Sequence, residues 1–122
     1  MYEATKILLR QRIGIVWDGL HLGRADRGRF RSFAEEQHAK CVLIYATASD
    51  QIVQQRVRAR LAHPNETVAE GKVVITPEHF QRIASYLEPP LAKEDVVTVD
   101  TTAGTIDRLL GALVADFQGF VV

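Results

Sequence analysis

The chain has a single cysteine, Cys41, which excludes a disulfide framework and any multi-cysteine metal site. Cys41 precedes Val42 in an apolar run and reads as a small core residue. The histidines, His21, His38, His63 and His79, show no ligand spacing such as H-x-x-x-H. No run approaches the ~18 uninterrupted apolar residues of a transmembrane helix, and the opening residues, MYEATKILLRQR, lack a signal-peptide pattern. These absences point to no membrane partner and to a reducing cytoplasm. Internal repeats and low-complexity segments are also missing. The formal net charge is zero, so the field of the whole chain favours no polyanion. With no stacking-aromatic motif either, nucleic acid is not the expected partner.

What is present is an ordinary globular composition, 47% hydrophobic and 25% charged over 122 residues, enough for one domain with its own core. The basic residues are unevenly chosen and unevenly placed. Arginine far outnumbers lysine, and Arg24, Arg27, Arg29, Arg31, Arg56, Arg58 and Arg60 fall in two short stretches. Planar, permanently charged forks in such density favour phosphate or carboxylate recognition, although an arginine-rich genome produces the same bias.

Hydrophobic periodicity predicts the order α-β-α-β-α-α-β-α. A helix is expected over residues 2–12, then a buried strand Ile13–Trp17, whose near-continuous apolar run suits cover on both faces. Asp26 can cap a helix reaching His38, with Phe30, Phe33 and Ala34 inward. Lys40–Ala46 is a second apolar strand, and Ser49 or Asp50 caps a helix to Ala62. Residues 63–76, with Pro64, Asn65 and Gly71, form a lid or flap excursion. Thr76 as N-cap and Pro77 at the first helical position open the next helix, which Pro89-Pro90 stops. Val96–Val99 is a third strand ending in Asp100. Thr105 caps a last helix carrying Ile106, Leu109, Leu110, Leu113, Val114 and Phe117 on one face. The fold class is therefore α/β, a three-layer parallel sheet with flanking helices.

Three constellations carry chemistry. Asp18 ends the first apolar run, where open α/β sheets place their ligand crevices; it is either an acid for Mg²⁺ or a turn residue, since Asp-Gly is also turn chemistry. Arg24–Arg31 follows, with Arg27 and Arg31 sharing a helix face and Arg24 ahead of the helix. Arginines near a helix N-terminus oppose its dipole, which calls for an anion or an acidic neighbour such as Asp26, Glu35 or Glu36; a solvated face with local ion pairs is the other reading. Arg56 and Arg60 project from one side of their helix, either closing over a polyphosphate or lining a solvated face.

Four stretches, taken in order, carry a resemblance. They are the first strand with D-G-L-H-L-G-R-A-D-R, the second with A-T-A-S-D and the Q-Q-R-V-R-A-R helix, the T-P-E-H-F-Q-R-I-A-S-Y-L-E-P-P helix, and V-V-T-V-D-T-T. Together they resemble the C-terminal two-thirds of small P-loop kinases of the AAA-type ATP-binding, polynucleotide-kinase-like and zeta-toxin-like group. The resemblance implies ATP and Mg²⁺ as cofactors and Asp18 as the Walker-B-like acid near the metal. It implies that Arg56 or Arg60 reaches phosphate or stacks on adenine beneath a lid, and that Thr101, Thr102 and Gly104 border the adenine. Arg24 and Arg27, with Arg56 and Arg60, would stabilise transferred phosphate.

The chain departs from that group in one large respect. No G-x-x-x-x-G-K-[ST] is present: Lys72 follows Gly71 but precedes Val73, and Glu66 stands where the first glycine belongs. The expectation is a single incomplete kinase-like domain over 1–122, a fragment, remnant or mis-started form, inactive alone. The alternative is a non-catalytic phosphate- or partner-binding α/β module that completes another subunit. Both take a nucleotide or phosphorylated small molecule as ligand, and the open strand edges call for a second copy or a partner chain.

Overall fold

Helix α1, Tyr2–Arg10, turns Thr5 inward and closes through Gln11. In a computed structural model that describes residues 1–102 and Gly111, it belongs to the first of two units, Met1–Leu43 with Ala84–Val96. The second unit is Ile44–Ile83 with Val97–Val122. Gly104 and the expected helix from Thr105 to Phe117 lie outside the described residues.

The first unit is built on rings rather than on a sheet. Helix α2 runs Arg24–Glu36, starting at Gly23 and not at Asp26, so Arg24 opens the helix instead of preceding it. Its Phe30 and Phe33 meet Trp17 and Tyr2 edge to face, with centroids 4.5 Å apart for Trp17–Phe30 and 4.9 Å for Tyr2–Phe33. Such pairs favour edge-to-face geometry because the ring quadrupoles attract edge to face. The Trp17 indole N–H donates to the Thr5 hydroxyl at 3.2 Å, and that hydroxyl donates to the Met1 carbonyl at 3.1 Å, so both buried polar groups are satisfied.

Ile13–Trp17 forms no strand, contrary to expectation. Ile15 and Trp17 face the rings while Val16 is 92% and Ile13 45% exposed. Inward and outward positions alternate from Gly14 to Trp17, but Ile13, which a period of two would turn inward with Ile15, is exposed; helices supply the burial and, among the described residues, no neighbouring strand pairs with the backbone. Among the described residues, Gly14–Leu20 makes no backbone hydrogen bond to another backbone group.

The second unit holds the sheet. β1, Ile44–Thr47, is shorter than the run Lys40–Ala46 suggested, and it pairs in parallel with β2, Val97–Asp100. The register sets Ile44 against Val97 and Thr47 against Asp100, so the two carboxyl ends lie side by side. Two parallel strands are what the described residues show, not a three-layer sheet. Helix α3, Asp50–Ala62, is capped by Ser49, whose hydroxyl accepts from the Ile52 amide, and it buries Val57. The excursion after it contains a short helix, α4, Pro64–Ala69, for which no hydrophobic period was expected. The buried Thr67 hydroxyl of α4 donates to the Arg60 carbonyl at 3.1 Å and fastens this turn to α3. Thr76 accepts from the His79 amide at 3.2 Å and begins α5, Pro77–Ser85, as its cap-and-proline signal required.

Candidate functional site

Asp18 sits exposed in the loop between α1 and α2. No cluster of three or more His, Cys, Asp or Glu that could hold a metal occurs among the described residues. A lone exposed carboxylate is not a resident cation site. Three positions on, His21 packs edge-on to Phe30 at 4.6 Å, and its Nε2 is buried without a hydrogen-bond partner among the described residues.

Beyond Asp18 the loop is tied to the segment that follows α5. The Leu22 carbonyl accepts from the Glu88 amide at 2.9 Å, and the Arg24 amide donates to the Glu88 carboxylate at 2.7 Å. That carboxylate meets the first free N–H of α2, where the helix dipole favours an anion. Arg24 also donates through Nε to the Pro89 carbonyl at 3.4 Å, and its guanidinium stands 4.0 Å from Glu88. The acid that offsets arginines at this helix start is therefore Glu88, together with Asp26, which pairs with Arg29. Glu35 and Glu36 remain exposed.

Arg27, 5% exposed, is the most deeply held charge of the unit. Its Nε and one Nη2 donate to the two Glu94 oxygens at 2.8 and 3.2 Å. Its Nη1 donates to the carbonyls of His21 at 3.2 Å and Leu22 at 2.9 Å, and Nη2 also donates to that of Glu88 at 2.9 Å. The guanidinium beside Glu94, helped by the Leu91 amide at 2.7 Å, outweighs desolvation and holds that carboxyl down to about 2. Glu88 and Glu94 were not legible as site residues: the Arg27–Glu94 bond spans 67 positions, and neither acid stands in a local motif.

In the second unit the loops leaving β1 and β2 are stitched together. The Thr47 carbonyl accepts from the Thr101 amide at 2.7 Å and from its hydroxyl at 2.8 Å. The Ser49 amide donates to the Thr102 hydroxyl at 2.8 Å. Arg56, reaching over from α3, donates Nη1 to the Thr101 hydroxyl at 2.9 Å and Nη2 to the Thr101 carbonyl at 2.7 Å. The Thr102 hydroxyl and amide, both bonded to Asp100, hold its carboxyl below the usual range. Arg56, Thr101 and Thr102 thus stand together at the carboxyl ends of parallel strands, where α/β sheets bind ligands. Arg60 lies one turn further along α3, its backbone carbonyl engaged by Thr67. Asp18, Arg24 and Arg27 belong to the first unit, and Arg56, Arg60, Thr101 and Thr102 to the second; Gly104 lies outside the described residues.

A family model described as an AAA domain matches residues 1–90. The chain belongs to that family, the P-loop kinase-like branch of AAA-type nucleotide-binding domains. No curated protein and no solved structure matches it. Among the described residues, no helix is long and apolar enough to cross a membrane.

Proposed function

We propose that the chain supplies the metal-facing acid and the lid side of a P-loop kinase-like ATP site, and that it transfers no phosphate by itself. The observation that carries this reading is the cluster of Arg56, Thr101 and Thr102 at the carboxyl ends of β1 and β2. It occurs in a chain of a nucleotide-binding family that lacks G-x-x-x-x-G-K-[ST]. Asp18 would meet the Mg²⁺ that a nucleotide carries, and that ion would neutralise charge on the phosphates. Arg24 and Arg60 would add positive charge near phosphate, and Arg56 with Thr101, Thr102 and Gly104 would border the base. The lone Cys41 suits a reducing cytoplasm.

Without the backbone amides and lysine of a phosphate loop, the main donors to the β- and γ-phosphates are missing. Calorimetry of the full chain with ATP and Mg²⁺ should accordingly return a Kd weaker than ~1 mM, with no phosphate transfer in a radiolabel assay. Micromolar affinity or measurable transfer would overturn the reading.

A second reading is favoured by the exposed apolar edge. Ile13 and Val16, both in the first unit, face outward, and the backbone of Gly14–Leu20 makes no bond to another backbone group among the described residues. Such an edge accepts an added strand, so the chain would complete a sheet with a second copy or another subunit. Sedimentation equilibrium should then show self-association or a need for a partner. A clean monomer with no affinity for nucleotide or polyphosphate would remove this reading.

A further inference from the structure

The loop bearing Asp18 is anchored on either side and unsupported between. Ahead of it, Trp17 is fixed by its indole bond to Thr5. Behind it, the carbonyls of His21 and Leu22 are both taken by the Arg27 Nη1, and Leu22 is also taken by the Glu88 amide. Asp18, Gly19 and Leu20 make no backbone hydrogen bond among the described residues. The place of the Asp18 carboxylate therefore depends on its flanking anchors.

Arg27 uses every donor of its fork in this arrangement. A guanidinium has about five N–H groups in fixed directions, and each is matched by an acceptor from Glu94, His21, Leu22 or Glu88. A phosphate could reach this side chain only by displacing Glu94, leaving a carboxylate unpaired in a buried site. Lysine cannot replace it, because three donors on a point charge cannot span a carboxylate and three carbonyls together.

We infer that Arg27 is a positioning residue: through the carbonyls of His21 and Leu22 it sets the loop that carries Asp18, with Glu94 holding its fork in orientation. Arg27 touches no phosphate. The claim about the metal rests on the proposed role of Asp18, whereas the hold on the loop stands apart from it.

Two readouts on the full chain separate these parts. Amide hydrogen exchange in Arg27→Lys should lower protection of the Glu88 and Arg24 amides at least about tenfold, with the α3 amides unchanged; Glu94→Gln should give a smaller loss at the same places. Paramagnetic broadening by Mn²⁺ with ADP as probe should fall on the Asp18 and Gly19 amides in the wild type. It should weaken in Arg27→Lys and remain in Arg58→Gln, an exposed arginine outside the site. Unchanged protection at Glu88 and Arg24 in both variants overturns the positioning role, and so does a loss spread evenly over α3. Broadening absent from the wild type while protection falls as expected overturns the metal-facing reading of Asp18 and leaves the hold on the loop.

Discussion

Arg27 and Arg56 use the same device in the two units, with different consequences. Each binds the loop that follows an apolar extended stretch, and each does so through backbone carbonyls. Arg27 is 5% exposed and carries its own buried counter-ion. Arg56 is exposed and meets a neutral hydroxyl and one carbonyl. A guanidinium taken out of water must be matched at every donor, because an unpaired group is left with its full desolvation cost. One that stays wet can leave a loop for a ligand at little cost. The buried arginine reads as architecture and the exposed one as available to chemistry.

The sharpest way to break that contrast is Arg27→Met. It leaves Glu94 buried without its cation and strips donors from three carbonyls, so the chain should lose about 3 kcal/mol or more of stability. Urea unfolding followed by the fluorescence of Trp17, the only tryptophan, measures it. A loss no larger than that of an exposed arginine would show that burial does not separate the two residues.

Acid sharpens the same comparison. Glu94 has a folded-state pKa of about 2 against an ordinary 4.5, held down chiefly by Arg27. A depressed carboxyl contributes stability that is present in full above its unfolded value and is lost as pH falls through its folded value. The urea midpoint should therefore drop between about pH 4.5 and about pH 2, and Glu94→Gln should remove that share of the slope. The residual slope belongs in part to Asp100 and Glu70, whose carboxyls are also lowered, by Thr102 and by Lys72. An equal slope in the variant would detach Glu94 from the acid transition.

The elements that could be read in advance are those with local signals. Ser49 and Thr76 each supply a hydroxyl to a helix start, Pro77 sits where its missing N–H is harmless, and α3 and α5 begin accordingly. The parallel pairing of the two short apolar stretches followed from their alternation with helices. Ile13–Trp17 carries the composition of a strand but forms none, because a strand is completed by a neighbour and periodicity does not supply one. The capping of α2 shows the same limit. Asp26 looked like the cap, yet Gly23 takes that place and Glu88, distant in sequence, brings the carboxylate. A Cβ at Gly23 would stand 3.3 Å from the Asp26 carboxylate, a tight approach to the end of a flexible side chain, and in ordinary contact with Glu88 at 3.5 Å. In the candidate site, Arg56 and Thr101 were legible as residues but not as partners, and the commitment of Arg27 to Glu94 left no trace in spacing.

Arg56→Gln is the smallest of the expected effects and bears most directly on the contrast. An exposed guanidinium bonded to neutral groups contributes little net stability, so the loss should be about 0.5 kcal/mol. The amide of Thr101 should keep most of its protection, since its bond to the Thr47 carbonyl at 2.7 Å does not involve Arg56. The Thr101 hydroxyl, which donates to the same carbonyl, would lose only a donor it can replace with water. Urea unfolding and amide exchange on one sample read both quantities. A loss as large as that of Arg27→Met would mean that Arg56 is a structural clamp, and a clamp of that strength could not release its loop to a nucleotide.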